Sequence, residues 1–422
     1  MSIYSFFLYV IFHALFLAVL AIRDETFVKL SLLSTALLLA TIPTSLTFAA
    51  GLERSNQSIN AFLQTGNYAE AGISGVVPSV KGKDAAGHKV SNMADGYIVP
   101  NAALKVQATD HISLGLIYDQ PFGADSTYAV ENSLFSDGKE STNVDVNTNN
   151  LTMLVGYQPN ENWNIYGGAV WQTVEADIQL RGQAYSLLSG YDIKIKNEDA
   201  WGWLAGFAYS KPEIGLRAAL TYRSEIEHNA RSQETSNLPL YAGKLGPGSE
   251  VLSYLGSIDS TVQAVTPQSV NFDFQTGITQ KTLATASVRW VHWDQFKVTP
   301  DLLATATGML PGVGKQNLID YKDDQWTINL GLSHKFTDKW AGSAGVGWDS
   351  GAGNPVTILG PTKGYWSVSV GGQYSPTPST FIAGGVKYFG LGDAKAQTAG
   401  QVKGDFTDNY AIGYGVKVGY KF

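Results

Sequence analysis

The chain has no cysteine among its 422 residues, so no disulfide staples it. That usage suits an oxidising compartment without requiring one. Charged residues are scarce at 15%, too few for an ordinary soluble surface. No basic run or aromatic-basic patch offsets the formal net charge of -7, which argues against nucleic acid as a partner. Mean hydropathy is only -0.05, far below what a bundle of membrane helices needs. Catalytic signatures are missing as well. No Gly-x-Ser-x-Gly elbow or phosphate loop stands at a strand-to-helix junction. The six histidines (His13, His88, His111, His228, His292 and His334) are scattered without metal-ligand spacing. The sequence therefore gives no catalytic residue, metal or cofactor; His292 and His334 suit an interfacial belt.

What is present is period-two alternation. Tyr410, Ile412, Tyr414, Val416, Val418, Tyr420 and Phe422 alternate with glycine, alanine and lysine, and the chain ends on the aromatic. One face suits hydrocarbon and the other a polar lumen. Residues 325–336 and 365–374 repeat the pattern. In 213–227 the charges Glu213, Arg217, Arg223, Glu225 and Glu227 are all odd and the large apolar residues even, which predicts that the odd face is inward. Trp201, Trp203, Phe207 and Tyr209 form an outer face, with Lys194, Lys196 and Glu198 opposite. Short turns near 158–162, 210–213, 337–339 and 375–378 separate long loops near 126–141, 181–192, 229–260, 298–318, 349–363 and 391–407. Such asymmetry belongs to outer-membrane barrels. The expected fold is all-β: a transmembrane antiparallel β-barrel of about fourteen strands over residues 67–422.

The amino-terminal region divides in two. Lys29, the apolar run Leu30–Thr41 and Thr47-Phe48-Ala49 read as a signal segment, so residues 1–49 are assigned to targeting and the mature chain is expected to begin at Ala50. The upstream apolar run Ile3–Ile22 reads either as an anchor or as a mis-assigned start with true initiation near Val28; the second needs nothing upstream. Residues 50–66 form a short hatch. Ser55, Asn56 and Gln57 before Ile59, Phe62 and Leu63 suggest an N-capped amphipathic helix, with a disordered leader as the alternative.

Trp201-Gly202-Trp203, Ala219-Leu220-Thr221-Tyr222-Arg223-Ser224-Glu225, Trp293-Asp294-Gln295-Phe296 and the Asp323-to-Trp348 hairpin resemble the long-chain fatty-acid transporters of Gram-negative outer membranes, the FadL/TodX type. The resemblance runs from about Asn67 to Phe422. It implies a fourteen-stranded barrel with an amino-terminal plug, and an inward kink of the third strand that opens a lateral gap. Here the hatch is shorter than in the family and lacks its Asn-Pro-Ala motif.

Asp119-Gln120-Pro121-Phe122-Gly123 is the candidate kink, because proline removes a ladder donor and glycine relaxes the chain. An ordinary strand end is the other reading. For an extracellular groove the candidates are Tyr185, Leu187 and Leu188 in one loop and Leu238, Leu240, Tyr241, Leu252, Tyr254 and Leu255 in another; mutual packing of the loops is the alternative and both can hold. Arg181, Arg223, Arg289 and Lys297 are basic candidates at or facing the lumen, for a carboxylate or for lumenal acids.

The functional expectation is a monomeric outer-membrane protein taking up fatty acids or other hydrocarbons passively by lateral diffusion. Outer-membrane lipid, lipopolysaccharide and the barrel-assembly machinery are its expected partners, and no nucleic acid is. A general diffusion porin for small polar solutes is the alternative.

Overall fold

A computed structural model describes residues 52–246, 248–309 and 313–422. The expected targeting segment 1–49 and the expected start at Ala50 lie outside the described residues. No described helix is long and apolar enough to cross a membrane.

In hydrocarbon an alternating segment leaves no backbone group unpaired only if its sheet closes on itself. The fourteen strands meet that requirement. They are β1 (Tyr68–Ser79), β2 (Tyr97–Gln107), β3 (Ile112–Asp119, resuming at Gly123–Thr127), β4 (Asn143–Tyr157), β5 (Trp163–Leu180), β6 (Tyr191–Lys211) and β7 (Leu216–Arg223, resuming at Ile226–Thr235). Then follow β8 (Ser257–Thr266, resuming at Ser269–Thr279), β9 (Thr282–Val291), β10 (Gln325–Lys335), β11 (Trp340–Asp349), β12 (Lys363–Thr377), β13 (Thr380–Gly392) and β14 (Tyr410–Lys421). Successive strands pair antiparallel, and β14 closes on β1 from Tyr68↔Lys421 to Ser79↔Tyr410. The even residues of β14 are exposed to the membrane side, while Ala411 is buried inward.

Facing is not constant along every strand. In the lower half of β7, Arg217, Thr221 and Arg223 are buried and Leu220 is exposed. Above the break, Ile226 and Ala230 are buried, and Glu227 and Arg231 are exposed. The inward residues Arg223 and Ile226 are three apart, an odd step that exchanges the two faces, as a bulge does. Thr266 and Ser269 make the same step in β8, and a register shift beside Ala176 does so between β5 and β6. Two parity readings are corrected by this. Glu225 and Glu227 do not share the face of Arg223 but are exposed outside. Lys194 and Lys196 are likewise exposed, while Ile193 and Ile195 are buried inward. The strands also climb further than predicted: 229–235 and 257–260 are ladder, not loop.

The inversion has an energetic reason. Within the membrane the outside must be apolar; above it the outside meets water and the inside is free to be apolar. A single hydrophobic cluster therefore fills the extracellular mouth, joining Ile193, Ile195, Ala230 and Val262 of the wall to loop residues such as Val90, Phe135, Trp293 and Phe406. The loops add a short sheet, in which Gly82–Asp84 pairs with Gln401–Phe406, and the helix Asp301–Gly308.

Candidate functional site: hatch, strand break and extracellular mouth

β3 stops at Asp119 and resumes at Gly123, and pairing changes across the interruption. Its lower half pairs with both neighbours, from Ala102↔Tyr118 downward on β2 and from Asp119↔Asn150 downward on β4. The upper half pairs with β4 alone. Ile98–Asn101 of β2 thus bonds to β1 on one side and has no strand partner on the other. Pro100 sits in this stretch and has no N–H to offer. The interval is closed above where Thr127 N–H donates to Met93 O (2.8 Å) and Asp95 N–H to Asp125 O (3.1 Å). A bounded window in the wall results, about four residues or ~13 Å tall at strand rise.

The hatch lies directly behind it. Arg54 N–H donates to Pro121 O (2.7 Å) and Gly123 N–H to Leu52 O (2.7 Å), so the break residues exchange their lost partner for the plug. Ser55 Oγ donates to Asp119 Oδ2 (2.7 Å). The expected amphipathic helix is not there: residues 60–63 make one turn, with Phe62 N–H donating to Ile59 O (3.0 Å). Ser55 does not cap it: its hydroxyl donates to the wall and accepts from Gln57 N–H (3.3 Å), and it is Ser58 Oγ that accepts from Asn60 N–H at the turn (3.2 Å). Other polar groups of the hatch are engaged likewise: Asn271 Nδ2 donates to Asn56 O, and Arg217 to Asn60 Oδ1 and Leu63 O. Ile59 and Phe62 are buried against Leu154, Tyr166 and Leu204, with Leu63 half-buried beside them. Phe62 occupies space left open by two glycines; a Cβ at Gly115 would lie 2.4 Å from its ring.

The four basic candidates separate. Arg223 and Arg289 are buried inside the barrel. Arg289 ion-pairs with Glu53 of the hatch and donates to Gln57 Oε1 (2.9 Å). Burial pushes the Glu53 carboxyl up to about 7, against the pull of that guanidinium. Arg181 and Lys297 do not reach the lumen. Arg181 stands at the extracellular end of β5, bonded to Glu140 and Asp192 (2.6 and 2.7 Å), and Lys297 is exposed in a two-residue strand that pairs with Ile319–Asp320. Parity fails for both because neither lies inside a membrane-spanning strand.

The groove candidates divide as well. Leu238, Leu252 and Tyr185 are buried in the mouth cluster, and Leu187, Leu188, Tyr241 and Leu255 pack on it half-buried. Leu240 and Tyr254 remain exposed, alongside Leu245 and Val251. Phe122, at the break, points up into the same cluster.

Two cavities flank the hatch. One of about 170 Å³ runs below and beside it, lined by small and polar groups such as Ser287, Asn329 and Ser343. The other, about 70 Å³, lies above it at the window, between Leu52, Arg54, Met93, Tyr97, Ala124 and Leu359. Sequence reasoning passed over Leu52, Arg54, Met93 and Tyr97, which carry no periodic signal. His292, Asp294 and Asp324 also come together on the extracellular rim, their ligand atoms within 4.8 Å, with Asp324 accepting from Trp290 Nε1 (2.9 Å) and standing 2.9 Å from His292 Nδ1.

Comparison with known proteins places this architecture. A family described as outer membrane protein transport protein (OMPP1/FadL/TodX) matches residues 43–422. A long-chain fatty acid transport protein of Salmonella typhi is 23% identical over 342 residues, covering 76% of this chain and 74% of its own. Among solved structures, a Pseudomonas aeruginosa FadL homologue superposes with a TM-score of 0.69 at 16% identity, covering 92% of this chain and 98% of that one. The P. putida toluene transporter TodX gives 0.58 at 13% identity, covering 86% and 91%.

Proposed function

The chain belongs to the outer membrane protein transport family (OMPP1/FadL/TodX), a family of Gram-negative outer-membrane barrels for hydrophobic compounds, and from that premise we propose that it takes up long-chain fatty acids or hydrocarbons by lateral exit through the β2–β3 window. One observation carries this reading: the wall loses its ladder beside an apolar mouth. Ligand first meets the exposed Leu240 and Tyr254, then the packed residues beneath them. The 70 Å³ chamber links that cluster to the window. Its floor is the hatch, which must shift before a chain of any length passes. An apolar molecule leaving sideways beside the exposed Ile98 avoids the polar lumen below the hatch, so its gradient alone drives transfer. Phosphate-rich lipopolysaccharide, the layer such a molecule avoids, fits the polar outer surface above the membrane band.

The porin reading is served less well, because Glu53–Arg289 and the neighbouring hatch contacts close the axial route. Neither cavity supplies a constellation that suggests catalysis. The test is Ala124→Trp, which places an indole in the chamber while leaving the lumen below unchanged. In cells lacking their own transporter, uptake of radiolabelled oleate and of an aromatic hydrocarbon should fall sharply, with binding to the outer groove retained. A folded variant that transports at the parental rate would move the exit to an axial path.

A further inference from the structure

Arg54 starts on the hatch inside the barrel, yet its guanidinium ends in the window. Nη2 ion-pairs with Asp125 Oδ2 at 2.6 Å, and Nη1 donates to Asn147 Oδ1 at 3.1 Å. On the other side, Cζ stands 4.6 Å from the centre of the Tyr97 ring, at the first residue of β2. Asp125 and Asn147 belong to the outward face of β3 and β4: Asp125 is the register partner of the exposed Asp145, while Val144 and Val146 are buried on the opposite, inward face. The side chain therefore reaches from the lumen through the wall and touches both of its edges. It is 4% exposed, and a Cβ at Gly123 would lie 2.3 Å from its Cζ, so it fills the opening at that height.

We infer that Arg54 is a stopper for the window: a side chain carried on the hatch that fills the opening and holds it shut. This rests on the uptake reading above and adds the residue that gates it. Three features support a plug over a receptor for a fatty-acid head group. The guanidinium is already engaged on both edges, with Asp125 and Asn147 on one and the Tyr97 face on the other. Its surroundings are acidic, because Asp145 faces Asp125 in register and Asp95 is joined to it through the backbone. A second carboxylate would be repelled there. Lastly, Nε has no hydrogen-bond partner, so the group is held at its tip.

A stopper acts on anionic and neutral ligands alike, and this makes it testable. The chain has no cysteine, so Arg54→Cys introduces a unique thiol. Initial uptake of radiolabelled oleate and of radiolabelled hexadecane is measured in cells lacking their own transporter, with heat-modifiable migration confirming a folded barrel. Arg54→Cys should speed both several-fold, and reaction with a cationic alkyl methanethiosulfonate should restore the parental rate. Asp125→Asn, which keeps the opening filled but removes the ion pair, should give a smaller rise for both. Unchanged or slower uptake of both by folded Arg54→Cys would overturn the inference. So would slower oleate uptake alone, which would make Arg54 a carboxylate receptor. If the parental chain moves neither compound, the transport reading itself fails, a result distinct from either.

Discussion

Phe122 and Trp293 meet edge-on, with ring centroids 5.6 Å apart and planes at 82°. One ring sits in the break of β3 and the other in the loop after β9, and both are buried. Edge-to-face packing directs the positive rim of one ring at the negative face of the other. Trp293 further packs on Phe296 and Tyr321, so the break is fastened to the core of the extracellular loops.

Phe122→Ala should destabilise the barrel by about 3 kcal/mol, as the removal of a buried ring does. In a double-mutant cycle with Trp293→Ala, the coupling should be about 1 kcal/mol, read from thermal unfolding in detergent. Additive single effects would show that the two rings touch without supporting one another.

The docking of the hatch depends on Phe62. Phe62→Ala removes the ring from the pocket made by Gly115 and Gly156 and should weaken docking by about 3 kcal/mol, raising the undocked population by roughly two orders of magnitude. Planar-bilayer recordings should then show frequent larger openings, where the parental protein is mostly closed. Parental-like traces from a folded variant would mean that polar contacts alone hold the plug.

Glu234 organises the extracellular helix. Its buried carboxylate accepts N–H donation from Leu302 and Leu303, both at 3.1 Å, and the Tyr191 hydroxyl at 2.8 Å. Anions at helix amino-termini are favoured by the unpaired amides there. Glu234→Ala leaves buried donors unmet and should cost about 1–3 kcal/mol locally. Limited proteolysis should cut within 299–318 several times faster, with the barrel core intact.

Asp84 makes the mouth sensitive to acid. Burial opposes its charge, but backbone N–H donation from His88 and Leu134, helped by the His88 side chain, outweighs this and holds the carboxyl below its ordinary value. A carboxyl depressed in the folded state contributes stability above its unfolded pKa of about 3.9 and loses it as pH falls through the lower folded value. The clasp between the first two extracellular loops should therefore persist at pH 7 and pH 5 and open below about pH 4. Hydrogen exchange at Leu134 and His88 should rise over that range, and Asp84→Asn should exchange fast at every pH.

How much of this was legible in the sequence follows from period and length. The alternation in β14 and β10, the short turns and the aromatic ending carry the closed fourteen-strand barrel, because hydrocarbon permits few backbone arrangements and each strand reports its facing locally. Pro121 and Gly123 marked a local irregularity after Tyr118, open between a kink and an ordinary strand end. Facing beyond an odd step, as at Glu227 and Lys194, was not legible: a bulge shifts parity without a residue signature of its own. Nor was the site. Arg54 is separated from Asp125 by 71 positions and Glu53 from Arg289 by 236, and these pairings arise only when the closed wall brings the hatch against them. The sequence determined that there is a wall with an apolar outside. The tertiary structure decided what stands beside Pro121 and Gly123, because long-range contacts depend on closure rather than on periodicity.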